Sequence, residues 1–148
     1  MALPYENASS GERAMAEIQK ILQRFGCQSF GSMMDFEKKV LLVQFKYRDI
    51  PISVEASTQG YAAAWLREHP YNKNYRYSKI EHEKKAVSIA GTAVYSILRD
   101  WIKGQVMAIE AGILSFEGAF LGQVLLPSGQ TILQFVNSQK LLPAPEKK

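Results

Sequence analysis

The chain has 148 residues, 47% of them hydrophobic and 22% charged, the balance of an ordinary folded domain and not of a disordered or fibrous chain. A net charge of +4 is compatible with a polyanionic partner but does not require one, because solubility alone also favours a charge away from zero. One cysteine, Cys27, excludes an intramolecular disulfide and a cysteine-rich zinc site, and favours a reducing compartment.

In chain order, the start from Met1 to Asn7 lacks the basic residues and apolar run of a secretory signal. No later stretch offers eighteen uninterrupted apolar residues, so neither export nor membrane spanning is expected, and a cytoplasmic protein is. Ser9 with Glu12 three residues later reads as a capping box that opens a helix. Ala14, Ile18, Ile21, Leu22 and Phe25 recur on one face of it, and Gly26 supplies the left-handed residue that ends it. A weaker strand over 28–34 turns through 35–38. Residues 39–47 then alternate, with Leu41, Val43, Phe45 and Tyr47 on one face and Val40, Leu42, Gln44 and Lys46 on the other. Arg48 and Asp49 form a tight turn into a strand over 50–55. There Pro51 cannot donate to a ladder, so a free edge is expected.

Ser57 caps a short helix through Tyr61, Trp65 and Leu66 that stops before Pro70. After a polar, aromatic stretch over 71–77, Ser78 and Glu81 form a second capping box. Val87, Ala90, Val94, Ile97, Leu98, Trp101 and Ile109 keep a helical period as far as Ala111, predicting a helix of about 34 residues and about 50 Å. Gly112 ends it, Ser115 caps a short helix through Phe116, Phe120 and Leu121, and Pro127 to Gly129 reads as a turn. The apolar pairs between Thr131 and Val136 fit helical spacing better than alternation. The expectation is one α+β domain over residues 1–140: an αβββα core with a small antiparallel sheet, then a long helix and short C-terminal helices. Residues 141–148 are expected to be a flexible tail.

The stretch Ser96 to Val106, followed by Gly112 to Glu117 and Leu125 to Gly129, resembles a family of small tailed-phage and prophage proteins, and so does Gly60 to Glu68. The likeness covers most of the chain. It implies a phage gene product working in the bacterial cytoplasm, and it carries over no functional residue.

The sharpest binding candidate is the segment holding Arg67, Lys73, Arg76, Lys79, Lys84 and Lys85 with Tyr71, Tyr75 and Tyr77 among them. Basic side chains neutralise phosphates while tyrosine rings stack on exposed bases, so the mixture suits a nucleic acid. A solvated loop entering a surface helix would have the same composition, and Glu68, Glu81 and Glu83 dilute the field.

An αβββα order also fits restriction-like nucleases, with Glu17, Asp35, Gln44 and Lys46 at the corresponding places, although a glutamine then replaces one metal-holding carboxylate. His69 and His82 lack a second ligand at helical spacing, Cys27 reads as an inert thiol, and no phosphate-loop, dinucleotide or nucleophile-elbow motif is present. No cofactor, metal or catalytic residue is expected. On the long helix, Tyr95, Ile102 and Val106 widen the apolar stripe beyond one face. Such a girth is covered either by the protein's own core or by a second copy in a homodimer. The leading expectation is therefore a phage accessory protein that binds nucleic acid during replication, recombination or host takeover. The alternative is a phage protein that binds and inhibits a host protein such as a defence component.

Overall fold

Serine caps and left-handed residues set the boundaries of most elements in the computed structural model, which describes residues 3–143. The first helix, α1 (Gly11–Phe25), opens on Ser10, whose hydroxyl accepts from the Arg13 N–H at 3.1 Å. The expected cap at Ser9 is thus one residue early. Glu12 then falls at the second helical position, where it faces the helix dipole but cannot close a capping box. Gly26, at φ 102°, ends the helix as expected.

Strands β1 (Ser29–Asp35), β2 (Val40–Tyr47) and β3 (Ile50–Ser57) form an antiparallel sheet in the order β1-β2-β3. Arg48 and Asp49 both have positive φ, 48° and 66°, the mirror-image turn that matches the twist of a two-residue hairpin. Register places Phe30, Phe45 and Ile52 side by side, and the buried row Leu41, Val43, Phe45, Ile52 and Val54 faces the core. On the opposite face Gly31, Met33, Gln44, Lys46 and Glu55 are exposed, while Ser53 is buried and Leu42 half-buried. The edge expected to be free at Pro51 is instead covered. Val124 bridges Ile52, and the Leu125 N–H donates to the Pro51 carbonyl at 2.8 Å, a contact that needs no N–H from proline.

After α2 (Thr58–Glu68), capped by Ser57, comes α3 (Lys79–Glu110), 32 residues and about 48 Å long. Gly112, at φ 73°, turns the chain out of it while the Ile113 N–H reaches back to the Ala108 carbonyl at 2.8 Å, a Schellman closure. The C-terminal region holds α4 (Phe116–Phe120), a 3₁₀ turn (Leu121–Gln123) and α5 (Ile132–Ser138). In α5, Thr131 and Gln134 form a full capping box. Leu141 to Pro143 have no regular structure, and the rest of the expected tail, residues 144–148, lies outside the described residues. The architecture is α+β, with the small sheet backed by helices on one face.

The long helix serves two cores in succession. Its C-terminal half buries Val94, Leu98, Ile102 and Val106 with Ile18 and Leu22 of α1, the sheet row and Phe120. Its N-terminal half buries Ala86 and Ala90 against Ala62 and Trp65 of α2, where the small side chains let two helices approach closely. Val87, placed on the apolar stripe by periodicity, is 57% exposed, because the buried stripe runs through His82, Ala86 and Ala90 instead. Ile102 and Val106, which widen the apolar stripe, are fully buried in the chain's own core, the first of the two coverings the sequence allows. Among the described residues no helix is long and apolar enough to cross a membrane.

Candidate nucleic-acid interface

Residues 69–78 close one end of the molecule, between the C-terminus of α2 and the start of α3, and they are organised around His82. Its imidazole is 2% exposed, and its Nε2 lies 2.6 Å from the His69 carbonyl oxygen. A carbonyl can only accept, so Nε2 carries the proton and Nδ1 accepts from the Tyr77 hydroxyl at 3.0 Å. The Tyr77 ring stacks on the imidazole at 5.6 Å and 17°, Tyr75 stacks on Tyr77 at 5.2 Å and 18°, and Tyr71 meets Tyr75 edge-on at 5.9 Å. The Tyr71 hydroxyl donates to the Tyr77 carbonyl at 2.8 Å, and Trp65 covers both His69 and His82. His69 in turn meets the Glu6 carboxylate at 3.0 Å, tying the N-terminal segment to the same end.

Tyr71 and Tyr77 are therefore half-buried parts of a ring cluster, with faces and hydroxyls already engaged by the protein. Tyr75, at 41% exposure, is the one of the three that presents much of its ring to solvent. The sequence could not show this. Tyrosine is amphipathic and reads equally well as a stacking platform or a core ring, and His82 is hidden inside the charged run from Glu81 to Lys85.

The cations are distributed differently. Arg67, Lys73, Arg76, Lys79, Lys84 and Lys85 are all exposed, and none forms an ion pair among the described residues. Six basic side chains against three acidic ones within residues 67–85 leave a local charge of +3, most of the chain's +4. They do not lie on one plane. At 3.6 residues per turn, Lys79 and Lys85 flank the His82 direction by about 60° on either side, and Lys84 points about 160° away. Lys85 lies over the Tyr77 ring at 5.8 Å, bracing the cluster from outside.

The other sequence candidates do not converge. The Glu17 carboxylate meets Arg99 at 3.5 Å, and Asp35 Oδ1 accepts from the N–H groups of Glu37 and Lys38 in the β1–β2 turn. Gln44 bonds to Ser53, and Gln44 and Lys46 are exposed on the outer face of the sheet. The restriction-like layout is thus not assembled, and among the described residues no group of three His, Cys, Asp or Glu is placed to hold a metal ion. Burial pushes the Cys27 thiol up to about 11.

A feature that the sequence reading missed is an apolar groove of about 530 Å³ between the β1–β2 turn, α2 and the first half of α3. Phe36, Ala62, Leu66 and Val87 are among its lining residues. Phe36 is 84% exposed at its rim. Comparison of the chain with family models, curated proteins and solved structures gives no match.

Proposed function

We propose that this α+β protein binds nucleic acid through the end of the molecule formed by the α2–α3 connection, as an accessory protein of a phage acting in replication, recombination or host takeover. The observation that carries the reading is the exposure of Arg67, Lys73, Arg76, Lys79 and Lys85 around the α2–α3 connection, without ion pairs among the described residues, with Lys84 pointing away from the others. Unneutralised cations around an ordered scaffold are suited to phosphates, and the ring cluster fixes the backbone from which Lys73 and Arg76 project. With Tyr71 and Tyr77 committed to that scaffold, recognition rests on charge plus the single open ring of Tyr75, an arrangement that favours backbone contact over base readout.

Binding of labelled single-stranded and duplex DNA and RNA across a salt series tests this. Each phosphate neutralised steepens the fall of log K with log salt by about 0.9 on duplex DNA. Joint reversal of Lys73, Arg76 and Lys79 to glutamate should flatten that slope by about two to three units and leave the fold intact. Absence of salt-dependent binding to any of these probes removes the reading. The apolar groove beside Phe36 favours the second reading, a protein partner such as a host defence component, for which Phe36→Ala should abolish capture while leaving the salt-dependent term untouched.

A further inference from the structure

The two edges of the sheet are treated differently. The β3 edge carries Pro51 and is covered by Val124 and Leu125, whereas no backbone hydrogen bond reaches the outer edge of β1 among the described residues. Strand β1 spans seven residues, Ser29–Asp35, with no proline, no lysine and no inward-pointing charge to protect its edge. It also holds a buried hydroxyl, Ser32 Oγ, that finds no hydrogen-bond partner. A polar atom shielded from water without a partner costs about 1–3 kcal/mol, a penalty that a partner supplied from outside the chain would relieve.

We propose that β1 is the seam of a homodimer, in which a second copy adds its own β1 antiparallel across a two-fold axis at Ser32 to make a continuous six-stranded sheet. The strand is its own complement in that register. Ser32 stands opposite Ser32 of the second copy, where a χ1 rotation lets one hydroxyl donate to the other and supplies the missing partner. On the core face, half-buried Phe30 and Met34 each meet the other's counterpart. On the outer face Met33, 57% exposed, lies opposite Gly31, beside which there is open space. Asp35 faces Ser29 and not a second carboxylate, so no like charges meet. A shift by one residue would set core-face residues opposite outer-face ones and turn the second copy over, which the buried row forbids. A centre on Gly31 or Met33 leaves part of the strand unpaired, whereas Ser32 uses all seven residues. The dimer forms by an isologous contact, independent of α3.

Three variants read this register directly. In a Cys27→Ser background, Ser32→Cys places two cysteines across the axis with Cα atoms about 4.5–5.5 Å apart, within disulfide range, and mild oxidation should give a covalent dimer. Ser29→Cys, whose copies lie about 20 Å apart, should not. Gly31→Lys with Met33→Lys sets lysine against lysine twice and should give monomers by sedimentation, while Gly31→Lys with Met33→Glu sets lysine against glutamate and should restore the dimer. Both positions are exposed, and circular dichroism checks that the fold is kept. A wild-type chain that sediments as a monomer at every concentration overturns the proposal. So does a dimer that the double-lysine variant leaves intact and Ser32→Cys does not cross-link.

Discussion

The His82 imidazole bonds through Nε2 to the carbonyl oxygen of His69 at 2.6 Å, a contact that joins the first turn of α3 to the C-cap residue of α2 and fixes the loop between them. The same ring holds the Tyr77 hydroxyl, so one side chain satisfies two polar groups of a loop whose exposed residues carry the proposed function.

His82→Phe keeps the ring stack but leaves the His69 carbonyl and Tyr77 hydroxyl without partners. Each orphaned group costs about 1–3 kcal/mol when buried, and access of water to the loop lowers that figure. A loss of about 2–3 kcal/mol in urea unfolding is expected, with weaker nucleic-acid binding because Lys73 and Arg76 lose their fixed backbone. Unchanged stability would show that the rings hold the loop without the imidazole.

A second polar site ties the N-terminal segment to α3. The Tyr5 hydroxyl donates to Asp100 at 2.6 Å and Arg99 Nε approaches the same carboxylate at 3.0 Å, and these two contacts, in that order, hold the Asp100 carboxyl below its ordinary range. A depressed folded value means that the contribution to stability is present above the unfolded carboxylate range near pH 4 and is lost as pH falls through the folded value. Tyr5→Phe should therefore make stability fall less between neutral and acid pH than it does in the wild type. Parallel pH profiles for the two proteins would contradict the assignment.

Burial of Cys27 and its raised value, about 11, predict a thiol slow to react at pH 8, since only the thiolate is nucleophilic. Alkylation should accelerate by orders of magnitude on unfolding in denaturant. Rapid modification of the native protein would show that the thiol is accessible and ionised.

Where local chemistry decides, the fold was legible. Ser57, Ser78 and Ser115 cap the helices they were expected to cap, Gly26 and Gly112 take positive φ, and alternation in β2 assigns its buried row correctly. Apart from the cap of α1, expected one residue early, what failed depends on neighbours distant in the chain. Val87 fits the period of α3, but α2 meets that helix through Ala86 and Ala90, and only the packing angle decides which row is covered. Val124 and Leu125 pair with β3 across more than seventy residues, a contact that no local pattern encodes. The basic residues of the candidate site were visible one by one. Their scaffold was not, because it depends on a histidine set among charges turning inward.

Separating the rings from the charges is the sharpest remaining test of the interface. Tyr75 is 41% exposed and Tyr77 is bonded to His82, so their truncations should have opposite signatures. Tyr75→Ala should cost about 1–3 kcal/mol of binding to a single strand, the usual range for one base stacked on one ring, with little change in the salt slope and little loss of stability. Tyr77→Ala removes a ring from the cluster and should lower the unfolding midpoint first, with binding falling only as far as the loop loosens. Equal binding losses from both, without a stability change in either, would mean that the rings open to meet the nucleic acid and that the cluster is a closed form of the site.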